Sequence, residues 1–207
     1  MLNSKIYKIE TERLTIRCYK PMDASMLLEA TSLSINHLLP WMPWANEEQN
    51  TLNDKINLIR QFRGKFDLDI DYIYGIFDKS QQNLIGGTGL HKRIGNDARE
   101  IGYWINVRYI NNGFATEAVS ALIKAGFEIE NHSRIEIHCA PENIQSQNIP
   151  RKLGFTLEAI LKQRTKDADG NLRDSMIWTL FKDDYMLSNL KKIDLKAYNF
   201  VDEEIIF

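Results

Sequence analysis

The stretch from residue 100 to residue 140 changes its hydrophobic period twice, and this pattern constrains the fold more than any other feature. Residues 100–107 are strand-like and run straight into Tyr109-Ile-Asn-Asn-Gly-Phe-Ala115. Ala115, Ala118, Val119, Leu122, Ile123, Gly126 and Phe127 then mark one face of a helix, and residues 134–140 read as a strand again. A helix joining two neighbouring strands makes that pair parallel. Upstream, residues 71–77, 84–90 and 100–107 are strand-like and separated by short turns, so they form an antiparallel meander. One parallel pair within a mostly antiparallel sheet, with helices around it, is the expected α/β (α+β) class.

The remaining segments add to that frame. Residues 13–19 alternate as a strand, and Pro21 opens a helical pattern in which Met26, Leu27, Leu28 and Ala30 are apolar. Leu38-Leu-Pro-Trp41-Met-Pro-Trp44 reads as an irregular aromatic loop, followed by a helix over residues 47–66. A short helix before Gly154-Phe155 precedes strands at 157–166 and 173–181 around Asp169-Gly170. With no repeat and no Gly/Ser linker, residues 1–187 are expected to be one domain. Residues 188–207 form an appended C-terminal arm. Its end, Asn199 to Phe207, reads as a strand that pairs with a second subunit in a homo-oligomer or covers a sheet edge; disorder is the alternative.

Composition removes several classes of function. The 207 residues are 43% apolar, with 26 basic against 28 acidic side chains, so no general electrostatic case for nucleic acid or an anionic membrane arises. The two cysteines, Cys18 and Cys139, make no disulfide scaffold, and Cys139 reads as a buried thiol. The N-terminus lacks a signal-peptide run, and the longest uncharged stretch, residues 31–46, is broken by His37, Pro40 and Pro43. A cytoplasmic protein is expected. His37, His91, His132 and His138 lack metal-ligand spacing, so no metal is expected, and His138 reads as a core or edge histidine.

The chemistry concentrates where the strand meets the helix. A helix N-terminus offers unpaired N–H groups and the positive end of a dipole, and left-handed residues in the preceding loop aim further N–H groups at an anion. Gly113 reaches positive φ freely, and Asn111 and Asn112 tolerate it best among other residues. The alternative is an Asn-Gly hairpin, but the downstream period is helical. Gly86-Gly-Thr-Gly89 looks like a phosphate loop yet sits inside a strand pattern, where close strand packing or a bulge is expected.

Glu100-Ile-Gly-Tyr-Trp-Ile, Gly113-Phe-Ala-Thr-Glu-Ala118, and Asn143-x-x-Ser146 running on to Lys152-Leu-Gly-Phe155 together resemble the GNAT N-acetyltransferases. Thr11-Glu-Arg-Leu14, with Gly170 and Asp174, resembles their RimJ/RimL-like branch, which acetylates protein N-termini. The resemblance covers residues 8–186 in matching order. It implies a GNAT fold whose sheet splays between the two parallel central strands, with acetyl-CoA in the splay. The pantetheine arm would then meet the backbone of Ile105, Asn106 and Val107, and the pyrophosphate the N–H groups of Asn112, Gly113, Phe114, Ala115 and Thr116. Asn143 and Ser146 would complete the cofactor side, with Ser146 supplying the hydroxyl near the departing thiolate.

The chain departs from the family pattern in two places. Ile110 and Asn111 stand where Arg or Gln and a glycine are usual, and Pro150 stands where many members carry a tyrosine. Pro150 lacks the N–H that would bond the Ser146 carbonyl, so a bent or short helix is expected. Glu100 is the candidate base; an exposed strand glutamate is the plain alternative. A backbone N–H near Val107 is the candidate donor to the thioester carbonyl. Neutralising an α-amine at pH 7 costs about 1.4 kcal/mol against about 4.6 for a lysine amine, so a protein N-terminus is the expected acceptor. Trp41 and Trp44 are the candidate acceptor clamp, or else cap a helix-sheet core. A polyamine or aminoglycoside-like acceptor stays open through Glu47, Glu48, Asp67, Asp69 and Asp71. A non-catalytic acetyl-CoA-binding module stays open through Ile110, Asn111 and Pro150.

Overall fold

The computed structural model describes residues 5–47 and 50–207, and the side chains of Asn46 and Glu47 fall outside it. The elements run β1 (Lys8–Glu10), β2 (Leu14–Cys18), α1 (Ala24–Leu38), α2 (Trp44–Glu47), α3 (Leu52–Asp67), β3 (Tyr72–Asp78), β4 (Leu84–His91) and β5 (Ala98–Ile105). Then follow α4 (Phe114–Glu128), β6 (Arg134–Cys139), α5 (Ile144–Lys152), β7 (Thr156–Lys166), β8 (Leu172–Phe181), α6 (Lys182–Leu187), β9 (Lys196–Tyr198) and β10 (Glu204–Ile205). Among the described residues the strands form one sheet in the order β10-β9-β1-β2-β3-β4-β5-β6-β8-β7. Every pairing is antiparallel except β5 with β6, the pair that α4 connects.

Helices cover the sheet because each has an apolar side to bury. Ala118, Val119, Leu122 and Ile123 of α4 lie in the larger buried cluster with Ile101 and Ile137 of the central strands. Leu27 and Ala30 of α1 and Ile59 of α3 join Tyr19, Phe77 and Leu84 in a second cluster. The helix expected from residue 47 begins instead at Leu52, because Thr51 and Asp54 make a reciprocal cap: Thr51 Oγ1 accepts the Asp54 N–H and the Asp54 carboxylate accepts that of Thr51. The aromatic loop holds one short helix, α2. β1 and β9 were not expected as strands; at three residues each they are too short to show a period of two.

The arm continues the sheet. β9 pairs with β1 through Ile9 opposite Ala197, and β10 pairs with β9. Lys124 of α4 donates to the carbonyls of Lys191 and Ile193, and Leu190 is buried. Among the described residues no helix is long and apolar enough to cross a membrane.

Candidate active site

The parallel ladder between β5 and β6 is short. It joins Ala98 to Arg134, Arg99 to Ile135 and Glu100 to Glu136, and ends there. β5 meanwhile stays paired with β4 as far as Ile105 opposite Gly86. Asn106 N donates to Ile85 O on the β4 side, so by the alternation of a strand the backbone groups of Tyr103 and Ile105 face the other way, into the opening. The result is a cleft of about 870 Å3 with Glu100, Tyr103, His138, Asn143 and Ser146 in its wall. Gly86 and Gly87 are strand residues: a side chain at either would overlap Trp104, so these glycines let β4 and β5 close against each other.

The loop at the mouth is left-handed at Asn111 (φ 62°) and Gly113 (φ 79°), while Asn112 is not. Asn112 instead uses its side-chain amide to donate to Tyr109 O and Ile110 O. Gly113 is the N-cap of α4, and the N–H groups of Phe114, Ala115 and Thr116 have no carbonyl within the helix to bond. The loop is fastened from below by the Thr11-Glu-Arg-Leu14 segment. Glu117 Oε1 accepts Thr11 Oγ1 at 2.6 Å and Arg13 N at 3.0 Å, and its Oε2 accepts Arg13 Nε at 2.7 Å. Arg13 Nη1 donates to Asn112 O at 3.0 Å, and its guanidinium lies 4.6 Å from the Phe114 ring centroid. Sequence reasoning matched that segment without finding this latch.

Of the three residues expected along the pantetheine arm, Ile105 turns its backbone groups away from β4, on the side where the β5–β6 ladder has already ended. Asn106 is buried and internal, its side chain bonded to Leu84 O and the Arg108 N–H. A donor to the thioester carbonyl was expected near Val107, and the N–H of Val107 itself donates to Ser34 Oγ at 3.0 Å. α1 supplies that serine and so takes up the donor.

At the inner wall, Asn143 caps α5, its Oδ1 accepting the Ser146 N–H at 3.0 Å. α5 continues through Pro150 to Lys152. The Ser146 carbonyl that Pro150 leaves without a helical partner accepts from Tyr103 Oη at 3.1 Å, and Tyr103 Oη also lies 3.0 Å from Ser146 Oγ. A tyrosine on the neighbouring strand thus replaces the missing N–H and holds the hydroxyl in one contact. Burial pushes the Tyr103 phenol well above its ordinary range, so it remains an O–H donor. Burial likewise raises the Cys139 thiol, which keeps it from acting as a thiolate.

Tyr103→Phe should cost about 1–3 kcal/mol of stability, because the Ser146 carbonyl loses its donor. Pro150→Ala in the same chain restores the helical N–H and should recover most of that loss. Urea unfolding of the four chains of this cycle checks it, and equal losses with and without Pro150 would sink the account.

Ionisable groups gather at the apex of the splay. His138 Nε2 is 2.7 Å from Glu136 Oε2, and His138 Nδ1 is 3.6 Å from Glu100 Oε2. Arg134 Nε bonds the other oxygen of Glu136 at 2.8 Å, and Arg93 Nε is 3.3 Å from Glu100. On the β4 side His91, opposite Glu100 in register, bonds Asp71 through Nδ1 at 2.9 Å. Burial raises the Asp71 carboxyl, but bonds from His91 and the Lys92 N–H outweigh it and leave it below its usual range. His138 is therefore a cleft residue between two glutamates, not a core or edge histidine. Part of the signal was present, since Glu136 and His138 alternate onto one strand face, but nothing local shows that Glu100 of the neighbouring strand joins them.

Trp41 and Trp44 both line the cleft, and Trp44 meets Trp104 edge-on at 6.3 Å. Arg173 ties this aromatic loop across the opening by donating to Pro40 O at 2.6 Å and Trp41 O at 3.2 Å. The acidic residues weighed for a cationic acceptor are engaged elsewhere. Asp67 bonds Tyr7 and Arg63, Asp69 bonds Tyr72, and Asp71 bonds His91. Glu48 and the Glu47 side chain lie outside the described residues.

A family profile described as an acetyltransferase (GNAT) domain matches residues 13–156. The chain is 32% identical over 180 residues to the uncharacterized N-acetyltransferase p20 of Bacillus licheniformis, covering 84% of this chain and 96% of that one. It is 24% identical over 183 residues to the ribosomal protein uS5-alanine N-acetyltransferase of Escherichia coli, covering 86% of this chain and 92% of that one. Among solved structures, an acetyltransferase (GNAT family) from Bacillus anthracis superposes with a TM-score of 0.73 at 27% identity, over 85% of this chain and 99% of that one.

Proposed function

This chain belongs to the GNAT acetyltransferases, and from that premise we propose that it moves the acetyl group of acetyl-CoA directly to a primary amine, the N-terminal α-amine of a protein or peptide. The observation that carries the reading is the end of the β5–β6 ladder at Glu100 opposite Glu136, which opens the cleft with ionisable groups at its apex. The donor set fits acetyl-CoA: unpaired N–H groups at the start of α4 suit a pyrophosphate, and the free strand edge at Tyr103 and Ile105 suits an amide-bearing arm. The Escherichia coli relative is named for an alanine of a ribosomal protein, which supports an N-terminal acceptor.

Acetyl-CoA supplies an acyl group already activated as a thioester. Glu100 takes the proton that the attacking amine releases, as the nitrogen–carbon bond forms and the carbon–sulfur bond breaks. His138, held by Glu136 through Nε2, orients Glu100 through Nδ1. Ser146 Oγ gives a proton to the departing sulfur while Tyr103 Oη, within reach of both Ser146 oxygens, turns its O–H from the carbonyl to Oγ; Ser146 then regains a proton, and Glu100 releases the one it took, through solvent as the products leave. Trp41 and Trp44 flank the amine's approach.

Calorimetric titration with acetyl-CoA and with free CoA tests the donor, and thiol release with N-terminal peptides and with spermidine tests the acceptor. One-site binding with turnover on the peptides is expected. Turnover on spermidine alone would overturn the acceptor. Cofactor binding without any acetyl transfer would return the chain to a binding module.

The latch on the loop gives a separable prediction. Arg13→Ala should raise the KM for acetyl-CoA about tenfold while kcat changes less than twofold, because Arg13 positions Asn112 and Glu117 and stays clear of the reacting atoms. Steady-state kinetics with varied acetyl-CoA checks it; a fall in kcat with KM unchanged would count against the latch.

A further inference from the structure

The charges that line the acceptor side of the cleft oppose those of the whole chain. The chain carries a net charge of −2, yet the described residues lining the cleft include Arg93, Arg164, Lys166 and Arg173 against one acid, Glu100. Arg93 is spent on Glu100. Arg164 and Lys166 are exposed and have no carboxylate partner among the described residues. Arg173 uses both terminal nitrogens on the aromatic loop, and its Nε is buried in the wall without a partner among the described residues.

A backbone irregularity aims this edge. Leu161 is opposite Ser175 and Thr165 is opposite Arg173, so three residues of β7 answer Asp174 alone. Gln163 takes a left-handed φ of 52°, and its N–H donates to Asp174 Oδ1 at 2.9 Å. A non-glycine residue is strained in that region, and the Asp174 carboxylate holds it there. The bulge brings Arg164 and Thr165 to the cleft wall beside Lys166.

We propose that this basic edge is a specificity subsite that selects acceptor peptides with acidic side chains shortly after the N-terminal residue. The inference rests on the N-terminal-acceptor reading above and narrows it. Spacing sets which residues are read. Along β8, Arg173 lies three to four residues beyond Met176 and Ile177, the partners of Cys139 and His138 at the apex. At about 3.3 Å per strand residue the cations stand roughly 10–13 Å from the reacting amine, the reach of three to four extended residues. Acidic side chains at the third and fourth acceptor positions therefore meet Arg164 and Lys166.

The test compares three peptides that share an N-terminal Ala-Ser and differ at positions three and four: Glu-Glu, Gln-Gln or Lys-Lys. With acetyl-CoA at saturation, kcat/KM should fall at least tenfold from the first peptide to the third, and the gap should shrink as salt screens exposed charges. The double variant R164E/K166E should reverse the order while leaving the KM for acetyl-CoA in place. Equal kcat/KM for the three peptides would refute the subsite and leave N-terminal acetylation standing. A rise in the acetyl-CoA KM of the variant would assign the two cations to the donor and also refute it. Turnover on none of the peptides would remove the N-terminal reading and the subsite together.

Discussion

Glu100→Gln is expected to lower kcat by about 10²–10⁴-fold with the KM for acetyl-CoA within twofold of the parent, the range that loss of a positioned general base commonly spans. The substitution is nearly isosteric, and the amide oxygen still accepts from Arg93, so the wall keeps its shape while the proton acceptor is gone. His138 offers an internal control. Its Nδ1 faces Glu100 at 3.6 Å and its Nε2 is committed to Glu136 at 2.7 Å, an arrangement that orients a carboxylate. His138→Ala alone should cost about tenfold in kcat, and almost nothing further in the Glu100→Gln background, because groups on one proton path are not additive. Steady-state rates for the four chains of this cycle decide the roles. Full additivity would make His138 an independent base, and unchanged kcat in Glu100→Gln would remove the carboxylate from the chemistry.

Both glutamates and the histidine are visible in the sequence, but their meeting is not. The parallel pair was legible because strand, helix and strand periods follow one another over residues 100–140. That the two parallel strands splay was expected through the family resemblance, but the point of parting, Glu100 opposite Glu136, was not, since no local pattern records where two parallel strands part. Pro150 was legible as the loss of one N–H, and the physics of a helix named the carbonyl left over. What replaces that N–H comes from 43 residues away on another strand, so Tyr103 escaped a reading confined to local spacing. The same holds for Ser34, whose hydroxyl takes the Val107 N–H across 73 residues. The bulge at Gln163 was illegible for another reason: left-handed φ at a glutamine goes against local preference and is set by Asp174 on the partner strand. The cap at Thr51 is legible, since Thr-x-x-Asp is a short-range signal, and it sets the helix start that apolar spacing alone leaves open.

The wall that carries Ser34 depends on a buried ion pair, and Asp23→Ala should destabilise the protein by about 3–5 kcal/mol. Arg17 on β2 and Asp23 before α1 form a two-pronged pair, Nη1 to Oδ2 at 2.7 Å and Nη2 to Oδ1 at 2.9 Å. Their side chains are only 8% and 2% exposed, so water does little to soften the loss of either partner. Arg17 is further fixed by Gln81 at 2.7 Å and lies 4.0 Å from the Phe77 ring centroid, so its guanidinium cannot swing out to solvent without unpacking β3. Asp23 also accepts the Lys20 N–H at 2.7 Å, which fixes where α1 starts. With an m-value of about 2 kcal/mol/M in urea, the loss moves the unfolding midpoint down by about 1.5–2.5 M. The second half of the prediction separates an uncompensated charge from lost packing. Arg17→Met combined with Asp23→Leu removes both charges and fills similar volume, and it should regain most of the stability that Asp23→Ala loses. A double variant as unstable as the single one would show that the pair acts mainly by shape. A recovered one would show that β2 needs its arginine neutralised and the start of α1 held, so that Ser34 stays at Val107 beside the cleft.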